Sequence, residues 1–178
     1  MLQKTPIARR YAKAFQHEDI SIEDFGVLTD EIRAIVEAVK NDAAVQEFMN
    51  NPVYQRKQKI SVMRHLVDKL GMSENTFSLL EILIRKNRIN LLENVYDELV
   101  TINDKMNDQV RVEVTTAYEP SKDEITEIAE SISRFFHKKV LVKRNIDPSV
   151  IGGFIVEGEN KRIDMSVLGQ VRKILERV

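Results

Sequence analysis

From Pro6 to about residue 106, apolar residues recur every three or four positions, the spacing of helices that each bury one face. Pro6 suits a first helical turn, where no amide proton is needed, and Ile7, Tyr11, Ala14 and Phe15 share one face after it. Leu28, Ile32, Ile35, Val36 and Val39 predict a second helix over Asp24–Lys40. Asn41-Asp42 starts a short third with Val45, Phe48 and Met49. Asn50-Asn51-Pro52 ends it, because a residue before proline is pushed away from α geometry. Ile60, Met63, Leu66, Val67 and Leu70 line a fourth, stopped by Gly71. Ser73 caps a fifth whose stretch Phe77–Ile84 is apolar nearly all round, so it is expected to lie at the centre. Asn90–Met106 supplies a sixth through Leu91, Leu92, Val95, Leu99 and Ile102. Short links between such helices predict a bundle.

Near residue 108 the period falls to two. Val110, Val112 and Val114 alternate with Arg111, Glu113 and Thr115, the pattern of a half-buried strand. Ser121-Lys122-Asp123-Glu124 is a capping box. It opens a helix expected to turn Ile125, Ile128, Ala129, Ile132 and Phe135 inward. Lys139–Lys143 reads as strand and Asp147-Pro148 as a turn. Gly152–Val156 reads as a third strand, and Gly158-Glu159-Asn160 as a tight turn into Arg162-Ile163-Asp164. Val167, Val171, Ile174, Leu175 and Val178 suggest a final helix. The fold class is therefore α+β: a six-helix bundle over residues 1–106, then a small α/β domain over residues 107–178.

The chain has 178 residues, 43% hydrophobic and 31% charged, which is a globular composition. It has no cysteine, so neither disulfides nor thiolate metal sites can form. No apolar run nears the roughly 20 residues of a spanning helix, and Met1–Pro6 has no signal-peptide core. A soluble protein acting where it is made is expected. Net charge is -1, and residues 1–106 hold 15 basic and 16 acidic side chains, which leaves 12 of each beyond them. A binder that neutralises many phosphates, or docks on anionic lipid, carries a basic excess; this chain has none.

Candidate chemistry is sparse. His17, His65 and His137 fall in different predicted elements, with no second ligand at metal spacing. Gly152-Gly153 with Gly158 lies between extended apolar flanks, whereas a phosphate loop opens a helix. A bulge or close packing explains these glycines better. No cofactor and no small-molecule ligand are expected. The basic run His137–Arg144 admits three readings: a solvated edge strand, a docking face for an acidic partner, or an RNA surface. The pairs Glu23-Asp24 and Asp97-Glu98 read as solvated helix carboxylates. Ala8, Tyr11 and Ala14 form a small-residue stripe with one aromatic, which suits either the core or a visiting helix.

Four segments carry a resemblance. Thr5-Pro6-Ile7-Ala8-Arg9-Arg10-Tyr11-Ala12-Lys13-Ala14-Phe15 resembles the opening of the ATP synthase delta subunit family, called OSCP in mitochondria. Phe48-Met49-Asn50-Asn51-Pro52 and the stretch from Phe77 to Leu92 are similar to later family elements. Val140–Glu157, through Asp147-Pro148 and Gly152-Gly153-Phe154, resembles its signature, and Ile163–Val167 continues it. Gln16-His17-Glu18-Asp19 is polar where the family's first helix stays apolar, and Met165 stands where the family often has glycine.

The resemblance implies a non-catalytic peripheral-stalk connector of an F-type ATP synthase. It implies an N-terminal domain holding the N-terminal segment of an alpha subunit, with Ala8, Tyr11, Ala14, Phe77, Leu80 and Ile84 as the expected groove. It implies a C-terminal domain on the b subunits, with Val142, Asp147, Gly152, Gly153 and Phe154 as the expected stalk-binding or signature residues. The expected location is the cytoplasmic face of a bacterial plasma membrane, reached only through the complex, without nucleic acid. A stand-alone RNA-binding or ribosome-associated adaptor using residues 137–144 is the alternative.

Overall fold

The computed structural model describes residues 6–16, 20–158 and 161–169. The chain divides into two units, Met1–Met106 and Asn107–Val178. The first contains the helices Pro6–Ala14 (α1), Ile22–Asn41 (α2), Ala43–Asn50 (α3), Arg56–Leu70 (α4), Glu74–Arg85 (α5) and Leu92–Met106 (α6). A 3-10 turn at Ile89–Leu91 precedes α6, so the last helix starts two residues later than its periodicity suggests.

Each boundary has a local cause. The Ser21 hydroxyl accepts the Asp24 amide at 3.0 Å, which starts α2 ahead of the expected Asp24. Asp42 closes α2 through its own amide and starts α3 by accepting the Ala44 and Val45 amides at 2.9 and 3.3 Å. Gly71, at φ +64°, lets the amides of Gly71 and Met72 return to the carbonyls of Asp68 and Val67, ending α4. Ser73 caps α5, and Glu31 of α2 accepts both the Ser73 amide (3.0 Å) and its hydroxyl (2.7 Å). The start of α5 is thereby tied to a different helix.

Phe25, Leu28 and Ile32 of α2, Leu79, Leu80 and Leu83 of α5, and Val95 and Leu99 of α6 have no exposed surface. Burying each such side chain contributes about 1.5–3 kcal/mol. Helix α1 packs on α6 through Ala8 and Ala12, also fully enclosed. Glu98 corrects an expectation: it is 5% exposed and not solvated. It lies three residues after Val95 and four before Ile102, on the buried stripe of α6.

The second unit has strands Gln109–Thr116 (β1), Lys139–Ile146 (β2), Phe154–Gly158 (β3) and Lys161–Asp164 (β4), with the helix Lys122–Phe136 (α7) between β1 and β2. Sheet order is β2-β1-β3-β4. β1 runs parallel to β2 and antiparallel to β3, and β4 runs antiparallel to β3. α7 supplies the crossover that a parallel pair requires. Its capping box forms, with the Glu124 amide on Ser121 Oγ at 3.2 Å and the Ser121 amide on Glu124 at 2.8 Å. Val110, Val112 and Val114 meet Ile132 and Val156 in the core, with Ile128, Phe136, Val140 and Val142 packed around them.

Three expectations change here. Phe135 is 58% exposed, and Phe136 turns inward instead. Residues 135 and 136, at i+3 and i+4 from Ile132, both fit the helical period, so packing against the sheet decides between them. The third strand starts at Phe154, so Gly152-Gly153 precedes it in a turn. β2 extends past Lys143 to Ile146, because β1 offers partners up to Thr116. Val167–Gly169 is helical; Val171, Ile174, Leu175 and Val178 lie outside the described residues, as do His17 and Glu159-Asn160.

Candidate docking surfaces

In the first unit, the residues expected to form one groove separate. Ala8 and Leu80 have no exposed area, and Phe77 and Ile84 keep 6% and 3%. Ala8 and Leu80 present nothing to a partner, Phe77 and Ile84 present little, and all four pack in the core of the unit. Tyr11 is half-buried and Ala14 exposed. Helical phase explains the split: at about 100° per residue, positions 8, 11 and 14 wind around the helix, whereas 8 and 12 stay on one side. Sequence reading passed over Ala12, whose i+4 spacing from Ala8 marked the true contact face.

Tyr11 is nevertheless well fixed. Its hydroxyl accepts a hydrogen bond from Arg88 Nη1 at 2.9 Å, and the guanidinium lies 5.9 Å from the ring centroid. Arg88 follows α5, so the contact ties α1 to the turn between α5 and α6. On α5, Phe77 carries the Arg64 guanidinium 3.5 Å from its ring centroid, and Arg64 Nη1 also meets Glu74 at 2.6 Å.

In the second unit, Asp147 accepts the Ser149 amide at 2.9 Å and caps the 3-10 turn Pro148–Val150. Hydrogen bonds from the Ser149 side chain and backbone hold its carboxyl below the usual aspartate range. Ile151 then sits at φ +64°, ψ -47°, while the Gly152 amide reaches Val150 O at 2.7 Å. That is a γ-turn on a β-branched residue, a strained conformation costing about 1–3 kcal/mol.

Gly153 has φ +74°, and a Cβ there would stand 2.4 Å from the Met165 carbonyl oxygen. At Gly152 a Cβ would meet Val167 Cγ2 at 3.4 Å. The chain at Met165–Val167 crosses directly over the pair, held by Met165 N–H to Phe154 O and Val167 N–H to Gly152 O, both 3.0 Å. The glycines therefore serve close chain packing, in a turn that leads into a strand and not into a helix. Val142 lies half-buried in β2 beneath α7, and Phe154 opens β3 opposite Thr116. Ile151 (68%), Met165, Val167 and Leu168 remain exposed around the crossing.

The basic run lies on β2, an edge of the sheet. Lys143 Nζ pairs with Glu113, its direct cross-strand neighbour, at 2.9 Å, and Arg144 pairs with Glu119 at 3.2 Å. Two cations of the run are thus paired within the sheet's own surface, and the RNA-binding alternative has no support. His65 and His137 are exposed. Among the described residues no group of His, Asp or Glu could hold a metal ion, and no helix is long and apolar enough to cross a membrane.

The sequence model for "ATP synthase delta (OSCP) subunit" matches residues 7–178. The chain is 29% identical over 170 residues to ATP synthase subunit delta of Syntrophus aciditrophicus, covering 94% of this chain and 93% of that protein. It is 30% identical over 171 residues to the Geobacter sp. (strain M21) subunit, with the same coverage. Its fold matches a chain in a cryo-EM structure of the Toxoplasma gondii mitochondrial ATP synthase hexamer, with TM-score 0.73, 18% identity and 97% of each chain covered. The chain belongs to the ATP synthase delta (OSCP) subunit family, and is a structural, non-catalytic subunit of that enzyme's peripheral stalk.

Proposed function

We propose that the two units divide the work of the connector: the six-helix first unit holds the N-terminal segment of an alpha subunit, and the small α/β second unit holds the b subunits. Rotation of the central shaft exerts torque on the catalytic head, so a stator link needs a durable interface at each end and no chemistry of its own. The observation that carries this reading is that each unit has its own closed core and still leaves apolar side chains in solvent. On the first unit the alpha segment meets Tyr11 and Ala14 on α1, beside Arg88; Ala8, Phe77, Leu80 and Ile84 support that surface from beneath. On the second, the b subunits meet Ile151, Met165, Val167 and Leu168 around the Gly152-Gly153 crossing, with Val142, Asp147 and Phe154 as the scaffold below. Such a protein works at the cytoplasmic face of a bacterial plasma membrane, attached only through the complex.

Removing residues 107–178 tests the division. Circular dichroism should first show that residues 1–106 fold alone as helix. The truncated chain should then bind an alpha N-terminal peptide as the full chain does and lose binding to the b subunits. Retained b-subunit binding would overturn the assignment of the second unit.

A further inference from the structure

Between the end of α3, the start of α4 and the turn after α5 lies a cleft of about 490 Å³. Met49, Lys59 and Ile84 form its buried floor, while Arg56, Lys57 and Asn87 stand exposed at its rim. Lys59 is 6% exposed. Its Nζ donates to the Met49 carbonyl at 2.7 Å, which uses one of the three hydrogens of an ammonium group. Among the described residues the other two meet no acceptor, and no carboxylate lines the cleft. At the floor of an open cleft those two donors are left for water or an anion to satisfy.

Two further features concentrate positive potential at the same place. Arg56 and Lys57 have no acidic partner among the described residues. They also form the first turn of the 15-residue α4, where their amides find no acceptor among the described residues and the helix end carries roughly half a positive charge. Three side-chain cations with no acid call for more than one negative charge, which favours phosphate over a single carboxylate. The volume falls in the range of small-molecule clefts, about 300–1,000 Å³.

We propose that this cleft binds an oxyanion of the phosphate class, either free phosphate or the phosphate end of a nucleotide. Lys59 forms the floor contact, and Arg56, Lys57 and the first amides of α4 surround the ligand. The inference is independent of how the two units attach to the stalk and the head.

NMR titration of the ¹⁵N-labelled full chain with inorganic phosphate, and separately with ADP, tests it at constant ionic strength with chloride as the control. Saturable shifts are expected at the Arg56–Lys59 and Asn87 amides. Shifts with both ligands assign free phosphate, and shifts with ADP alone assign a nucleotide; either sustains the proposal. Lys59→Met should abolish binding. Because that variant can fail to fold, the exposed double change Arg56→Gln with Lys57→Gln carries the test, and should weaken binding about tenfold with the spectrum otherwise intact. The proposal is overturned by unsaturable shifts, by shifts that chloride reproduces, by a glutamate peptide binding there where phosphate and ADP do not, or by full affinity in the double variant.

Discussion

Replacing Gly153 by alanine isolates the close approach of two chain segments. The left-handed φ of +74° alone costs an alanine about 1–2 kcal/mol. The added Cβ would also stand 2.4 Å from Met165 O, 3.1 Å from Ser166 Cα and 3.3 Å from Met165 C. All three are backbone atoms, so no side chain can swing aside to make room. Relief requires shifting the segment that donates Met165 N–H to Phe154 O and Val167 N–H to Gly152 O. Losing those two bonds costs about 1 kcal/mol each, so Gly153→Ala should destabilise the second unit by about 3–4 kcal/mol. Gly71→Ala is the control: its φ is +64°, but a Cβ there meets nothing within 4 Å. It should cost the first unit only the same backbone penalty, about 1–2 kcal/mol. Native-state hydrogen exchange reads both, from the slowest amides of β1 for one and of α5 for the other. Equal costs, within about 0.5 kcal/mol, would show that the crossing segment yields freely and would refute the packing argument.

Other changes address separate contacts. We predict that Glu31→Ala lowers first-unit stability by about 2 kcal/mol in urea unfolding, because the Ser73 amide and hydroxyl lose a charged acceptor. Tyr11→Ala should weaken binding of an alpha N-terminal peptide by about 1–3 kcal/mol in calorimetry, while unchanged affinity in a folded variant would remove Tyr11 from the surface. Hydrogen bonds from the Ser121 backbone, then from the Tyr118 and Ser121 side chains, hold the Glu124 carboxyl below the usual glutamate range. A folded value below the unfolded one gives stability that is present above the ordinary glutamate range and lost as pH falls through the folded value. Glu124→Gln should therefore flatten the acid limb of the second unit's stability curve, and a wild-type acid limb there would refute the linkage.

How far the fold was legible depended on the range of the interaction involved. Asp42, Gly71, Ser73 and the Ser121–Glu124 box act on amides or carbonyls a few residues away, and each marks its boundary in the sequence. Glu98 is charged yet stands on the buried stripe of α6, and at the end of α7 both Phe135 (i+3 from Ile132) and Phe136 (i+4) fit the helical period, so packing against the sheet decides between them. Lys59 follows the same rule as Glu98: it stands four residues before Met63 and eight before Val67, on the buried row of α4, while Lys57 stands off it. Burial there comes from Met49 and Ile84, which other helices supply. Sheet order was out of reach, since β1 pairs with both β2 and β3 through contacts remote in sequence.

The candidate surfaces were the least legible part, for a physical reason visible at Gly152-Gly153. Residues that resemble the family signature build a scaffold: Asp147 caps a turn, Phe154 starts a strand, and the glycines admit a crossing chain. At Gly153 the positive φ and the crossing chain leave no room for a side chain, which is a restriction the sequence itself can display. The docking surface we propose is made by the scaffold's neighbours. The γ-turn at Ile151 and the crossing of Met165–Val167 leave Ile151, Met165 and Val167 about half exposed or more. None of these carries a local mark, because exposure is decided by what fails to pack against a residue. The same holds on α1, where Ala8 looked like contact surface and is core, while Ala14 is open. Resemblance along the chain therefore identified the scaffold, and the three-dimensional arrangement was needed to separate that scaffold from the side chains a partner can reach.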